Sequence, residues 1–156
     1  MPPSSVTAAP GPAEVPLDRT LSYRLHLLNK QTDLDSQRAY LLRAGLSLSD
    51  ARCLTTIGTF EPLSVKDLAH KANLNKGQAS RAAQALVDQG LVLKQDSTSD
   101  GRGVVLTLTP AGRQAFARTM AMVHARNREI FGCLSEAEQQ QLSMLFDRLL
   151  AHNRAA

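Results

Sequence analysis

Residues 73–90, NLNKGQASRAAQALVDQG, decide how the rest of the chain is read. Asn75 is a preferred N-cap type, and Gln78 three positions later completes a capping box, in which each residue satisfies the other's backbone N–H. Leu74 and Ala79 have hydrophobic-staple spacing. Ala79, Ala83, Leu86 and Val87 recur on one helical stripe, and Gly90 is the stop. Just upstream, SVKDLAHKA (residues 64–72) repeats this grammar. Ser64 is the N-cap, Asp67 makes an acidic variant of the box, and Leu63 and Leu68 form the staple. Val65, Leu68, Ala69 and Ala72 supply the stripe. Two short helices joined by a tight turn at Asn73–Asn75 make a helix-turn-helix. Ala69, Ala72, Ala79, Ala82 and Ala83 are small enough to let the two helices approach closely.

The outward face of the second helix carries Lys76, Gln78, Ser80, Arg81 and Gln84, with Gly77 among them and no acid before Asp88. Lys and Arg neutralise phosphates, while Gln, Ser and Arg match the donors and acceptors of base edges in the major groove. A plain solvated helix also turns polar residues outward. The acid-free first turns, the short preceding helix and the following segment favour a DNA-reading face.

In that following segment, Leu91–Lys94 read as a strand. Residues 96–109, DSTSDGRGVVLTLT, then place Val104, Leu106 and Leu108 in alternation with Val105, Thr107 and Thr109, the period of a half-buried strand. The polar residues from about Gln95 to Gly103 fit a hairpin tip. Thr109 caps a new helix, with Pro110 at its first position. The fold class this predicts is mainly α with a small β-hairpin wing, a winged helix-turn-helix.

The order helix-turn-helix, QGLVLKQD, SDGRG and VVLTLTPAGR resembles the MarR family of winged helix-turn-helix transcription regulators. The Asp-x-Arg of that family's wing matches Asp100 and Arg102, and its L-T-x-x-G matches Leu108, Thr109 and Gly112. The likeness runs from about Leu17 to the C-terminus. It implies that Arg102 enters a minor groove, whose negative potential attracts arginine, and that Asp100 orients the guanidinium. Many members carry a second arginine where this chain has Gly103, and Lys94 stands near a position that is often Arg. The wing is therefore expected to hold phosphates less strongly than in more basic relatives. An exposed Asp–Arg pair of little energetic weight is the plainer account of Asp100 and Arg102.

Outside the winged part, residues 1–16 hold five of the chain's seven prolines and read as a disordered tail. From Leu17, a stripe through Leu21, Leu25 and Leu28 predicts one long helix to about Arg43, ended by Gly45. Residues 17–46 form this first unit and 47–109 the DNA-binding domain. In the latter, Ser47 caps a helix whose Ala51, Leu54, Thr55 and Ile57 face inward, broken at Gly58 and Pro62. Residues 110–156 hold a long helix to Phe131 and a last one opened by the capping box at Ser135 and Glu138. Leu142, Leu145, Phe146, Leu149 and Leu150 form the apolar stripe of that last helix. An intramolecular core is the plain use for these outer helices. The resemblance implies instead that N- and C-terminal helices interlock two subunits into a homodimer reading a palindromic operator.

The resemblance further implies a repressor released by a small effector, an aromatic or heteroaromatic carboxylate held between dimer helices and winged domain. Tyr23, Arg24, His26, Tyr40, Arg52 and His70 are candidates to line that cleft. Arginine pairs carboxylates, although a lone Tyr or His on a helix is more often packing or surface, and the placement rests on analogy.

Composition limits the other classes. The formal charge of +4 permits nucleic-acid binding without requiring it. No apolar run nears the roughly 20 residues of a membrane span, and residues 1–16 lack a signal-peptide pattern, so a cytoplasmic protein with no membrane partner is expected. There is no phosphate-cradling glycine loop, paired carboxylate or nucleophile–base set, so neither an enzyme nor a cofactor is expected. Cys53 and Cys133 lack metal-ligand spacing and are expected to be buried small residues. A thiol redox switch within the same regulator is the alternative, followed by a winged helix used only for protein contacts.

Overall fold

The computed structural model describes residues 14–97 and 103–154. A 3-10 turn at Leu17–Arg19 precedes α1 (Leu21–Ala44), α2 (Leu48–Phe60), α3 (Val65–Lys71) and α4 (Lys76–Asp88). The antiparallel pair β1 (Val92–Ser97) and β2 (Gly103–Leu108) follows, then α5 (Pro110–Phe131) and α6 (Glu136–His152). In the hairpin, Val92 stands opposite Leu108 and Ser97 opposite Gly103. Leu63, between α2 and α3, adds a bridge on the other edge of β2: the Leu106 N–H donates to the Leu63 carbonyl at 2.8 Å. The chain is thus mainly α with one small wing.

The helix starts are set by local side chains. Ser47, Ser64, Asn75, Thr109 and Ser135 each accept a hydrogen bond from the backbone N–H three residues on. Such bonds satisfy donors that a helix cannot pair internally. Asn73 holds φ +56° in the turn between α3 and α4, a conformation asparagine tolerates better than most residues. Gly90 at φ +74° turns the chain out of α4.

The core lies where α2, α3, α4, the wing base and the start of α5 meet. Leu54, Ile57, Leu68, Ala79, Ala83, Leu86 and Leu106 are fully buried in it. Alanines on the facing sides of α3 and α4 bring these helices close, and leucines fill the remaining space. The start of α5 is locked to the end of α4. Thr109 Oγ1 donates to the Gly90 carbonyl at 2.6 Å and the Thr109 N–H to the Leu91 carbonyl at 3.0 Å. Gly112 lies so close to Leu91 that a Cβ would overlap the Leu91 carbonyl.

Five expectations need correction. The first helix does not begin at Leu17. Thr20 interrupts it, donating its hydroxyl to the Leu17 carbonyl at 2.7 Å and capping the Tyr23 N–H. Gly58 does not end α2, which continues to Phe60; the missing side chain makes room for the Phe116 ring of α5. Cys53, rather than Thr55, joins Ala51, Leu54 and Ile57 in the core. In β2, Val105 is buried along with Leu106 and Leu108 whereas Val104 is exposed, because the wing base is covered on both faces. The strands also reach further than expected, so Gln95–Ser97 and Gly103 belong to the ladder rather than to the tip. The Asp100 and Arg102 expectations fall outside the described residues, as does most of the proposed tail.

Toward the termini the packing is looser. Arg126 of α5 ties α1 in place, donating Nε to Ser36 Oγ at 3.0 Å and Nη2 to the Thr32 carbonyl at 3.3 Å. Arg52 of α2 pairs with Asp33 of α1 at 2.8 Å. α6 has no buried residue.

Candidate nucleic-acid interface

α4 presents its polar face because alanine and leucine claim the other one. Lys76, Gly77, Gln78, Ser80, Arg81 and Gln84 are all exposed, whereas Ala79, Ala82, Ala83 and Leu86 are buried. Helical spacing places Gly77, Arg81, Gln84 and Asp88 on one row. The N-terminus of α4 contains no acidic residue, so its free N–H groups and Lys76 form a positive end facing outward.

Two of the face's residues have other work within the chain. Gln78 Oε1 accepts the Asn75 N–H at 3.2 Å while Asn75 Oδ1 accepts the Gln78 N–H at 2.8 Å. The capping box leaves the Gln78 amide nitrogen available as a donor. Gln84 is held at both ends, its Oε1 accepting from Lys94 Nζ at 2.7 Å and its Nε2 donating to Asp88 Oδ1 at 2.8 Å. Lys94, from β1, therefore joins the wing base to α4. Arg81 projects beside Gly77, where an added Cβ would stand 3.3 Å from Nη1.

The wing is positioned by a residue that the sequence reading missed. Glu61, at the C-terminus of α2, accepts the Leu108 N–H on Oε2 at 2.7 Å, and its Oε1 lies 3.9 Å from Arg113 Nη2. One carboxylate thus joins α2, the foot of β2 and the first turn of α5. Nothing in its local sequence marks it.

The six candidates for an effector cleft do not form one cluster. Tyr40 and Arg52 belong to the junction of α1, α2 and α5, where burial raises the Tyr40 hydroxyl's pKa and the charges of Arg126 and Arg52 oppose that rise. Arg126 completes this group and was not among the candidates. Arg24 lines a separate apolar groove with Leu21, Leu28, Phe131 and Phe146. Tyr23 and His26 are exposed on α1, and His70 is exposed near the end of α3. Among the described residues, no cluster of His, Cys, Asp or Glu has the makings of a metal site.

The cysteines differ from each other. Cys53 is fully buried, and burial together with nearby Asp50 pushes its thiol up to about 12. At neutral pH it is protonated and a poor nucleophile. Cys133 is exposed in the turn between α5 and α6, contrary to the expectation of burial.

A helix pair whose second helix exposes a polar face with no acid in its first turns, followed directly by a β-hairpin, defines a winged helix-turn-helix DNA-binding protein. Residues 46–104 match the MarR family. The chain is 25% identical over 133 residues to the transcriptional regulator BilQ of Clostridium symbiosum, covering 85% of this chain and 92% of that one. It is 29% identical over 111 residues to a transcriptional repressor of Mycobacterium tuberculosis, covering 71% and 80%. The crystal structure of a MarR family protein from M. tuberculosis in complex with salicylic acid superposes with a TM-score of 0.69 at 27% identity, covering 85% of this chain and 97% of that one. A MarR/EmrR family regulator from Acinetobacter shares the fold at TM-score 0.80 and 21% identity, covering 88% and 97%. Residues 46–104 thus carry the match to the MarR family, and over most of its length the chain is similar to transcription regulators. Among the described residues, no helix is long and apolar enough to cross a membrane.

Proposed function

We propose that the protein is a homodimeric repressor acting in the cytoplasm, which binds a palindromic operator and is released by a small aromatic carboxylate. The observation that carries this reading is the exposed face of α4 next to the wing, with no acid before Asp88. Lys76, Gly77, Gln78, Ser80, Arg81 and Gln84 enter the major groove. Lys94 contacts backbone at the wing base, and Arg102, oriented by Asp100, reaches the minor groove. Apolar residues exposed on α1 and α6 supply the dimer surface. The effector class is suggested by the salicylic acid complex of the M. tuberculosis relative. In this chain the junction of Tyr40, Arg52 and Arg126 offers two guanidiniums and a phenol to such a ligand.

Selection of bound fragments from random duplex DNA, followed by fluorescence anisotropy at several salt concentrations, tests the assignment. Arg81→Ala is expected to weaken operator binding by about 1–3 kcal/mol and to relax base preference. Arg102→Ala is expected to weaken it without changing major-groove preference. Operator affinity left unchanged by Arg81→Ala, Gln84→Ala and Arg102→Ala would falsify the interface.

A further inference from the structure

We infer that Gln84 selects adenine at one operator base pair, and that Lys94 and Asp88 are positioning residues that fix which way its amide points. This rests on the proposed entry of α4 into the major groove. A glutamine amide in water turns over readily and offers its donor and acceptor in either order. Gln84 is held in one order. Its Oε1 accepts from Lys94 Nζ at 2.7 Å, and its Nε2 donates to Asp88 Oδ1 at 2.8 Å. An ammonium only donates and a carboxylate only accepts, so a reversed amide would face each with the wrong group. Both bonds have a charged partner, which makes them stronger than bonds between neutral groups.

The clamp spans two elements, and its far end is anchored. Lys94 on β1 stands opposite Leu106, which is fully buried, and Val92 two residues earlier is buried as well. Leu106 is bonded in turn to Leu63 on the other edge of β2. Asp88 lies in the last turn of α4, where a carboxylate opposes the helix dipole and no basic residue of that turn offsets it. Helix formation thus gives no reason for an acid at this position, whereas holding the Gln84 amide does.

The bonding capacity left on the amide defines the base. Oε1 keeps a second lone pair and Nε2 a second hydrogen. In the major groove adenine sets a donor, its N6 amino group, beside an acceptor, N7, and a glutamine amide meets both at once. Guanine presents two acceptors there, thymine an acceptor beside a methyl group, and cytosine a donor alone. With the amide order fixed, only adenine takes both bonds. A freely turning amide can offer its donor or its acceptor to each of the other bases, so discrimination falls. Lys94 has three N–H donors, which leaves it able to meet a phosphate while it holds Gln84.

Fluorescence anisotropy tests the proposal, using the full-length protein, the duplex it selects from random DNA, and that duplex with each base pair changed singly. The native protein should prefer adenine about tenfold over other bases at one position, and Gln84→Ala should cut that ratio below about threefold there alone. Lys94→Met and Asp88→Ala, each confirmed folded by circular dichroism, should lower the same ratio below about threefold, and Lys94→Arg, which still donates to Oε1, should retain it. Adding Lys94→Met to Gln84→Ala should change no base ratio further, because no amide remains to be oriented. A lysine that only neutralises phosphate would instead weaken all duplexes alike and reduce the salt slope by about one. That uniform loss, an unchanged adenine ratio in either Lys94→Met or Asp88→Ala, or a Gln84-dependent preference for another base overturns the inference. Arg81→Ala on the same duplexes reports on the interface separately. Unaltered affinity in that variant refutes the placement of α4, whereas weakened affinity with ratios insensitive to Lys94 refutes the clamp alone.

Discussion

α4 and α6 begin alike and end in different surroundings. Both open on a full capping box, Asn75 with Gln78 in one and Ser135 with Glu138 in the other, and both carry an apolar stripe. In α4 that stripe is sealed, with Leu86 at 0% exposure. In α6 Leu149 stands at 55% and Leu150 at 67%. α1 resembles α6 in this respect, with Leu21 at 81% and Leu42 at 86%. Caps and periodicity are local and therefore fix where a helix starts and which side is apolar. What covers that side is a tertiary matter, and here the winged core closes on itself while the outer helices do not. Exposed apolar faces of this extent mark interaction surfaces.

The sharpest break in the comparison is expected from truncating the sealed stripe. Leu86→Ala leaves a cavity in the sealed core and should cost about 2–5 kcal/mol. Leu150→Ala, in an exposed position, should cost under about 0.5 kcal/mol in the isolated chain. Urea unfolding midpoints at low protein concentration measure both. Equal losses would mean that α6 is already packed within its own chain.

Assembly gives the next largest effect. Leu145→Glu combined with Leu149→Glu should convert the proposed dimer to a monomer in analytical ultracentrifugation, with the circular dichroism of the helices retained. The basis is that burying a carboxylate in an apolar interface is strongly unfavourable. A double variant that sediments as a dimer would remove α6 from the interface.

The two thiols sharpen the same contrast without disturbing either region. Cys53 reports on the sealed core and Cys133 on the open turn between α5 and α6. A maleimide should label one thiol per native chain quickly. The second should react only as the core opens, since a buried, protonated thiol is a poor nucleophile. Mass mapping of the labelled peptide must find Cys133; rapid labelling of Cys53 would contradict its burial.

The sequence made the winged unit legible because its signals are short-range: every cap at Ser47, Ser64, Asn75, Thr109 and Ser135 bonds three residues away. Other features depend on partners far along the chain. Glu61 meets Leu108 47 positions on, and Arg126 meets Ser36 90 positions back. Gly58 resembles a helix breaker until Phe116 fills the space beside it. Thr20 is a local signal that a continuing leucine stripe conceals. The outward residues of α4 were also legible, since exposure follows from the inward stripe. The hold of Lys94 on Gln84 was not, because it needs the wing folded back against the helix.

The smallest expected effect separates the two capping boxes by their chemistry. The α6 box contains a carboxylate, while the α4 box contains an amide that does not titrate. The backbone N–H and hydroxyl of Ser135 hold the Glu138 carboxyl below the usual glutamate range. A depressed folded-state value means that the box contributes stability above the ordinary glutamate pKa of about 4.3, and that this contribution is lost as pH falls through the folded value. The Ser135 N–H donates to Glu138 Oε1 at 2.9 Å, and the Asn75 N–H donates to Gln78 Oε1 at 3.2 Å. In an NMR titration from pH 7 to 3, the Ser135 amide shift should move with an inflection below that of an ordinary glutamate, while Asn75 stays flat. Glu138→Gln should make Ser135 flat as well while keeping its hydrogen bond. If Ser135 does not titrate in the native chain, the carboxylate is not its partner, and the likeness between the two helix starts ends at the hydroxyl and amide caps.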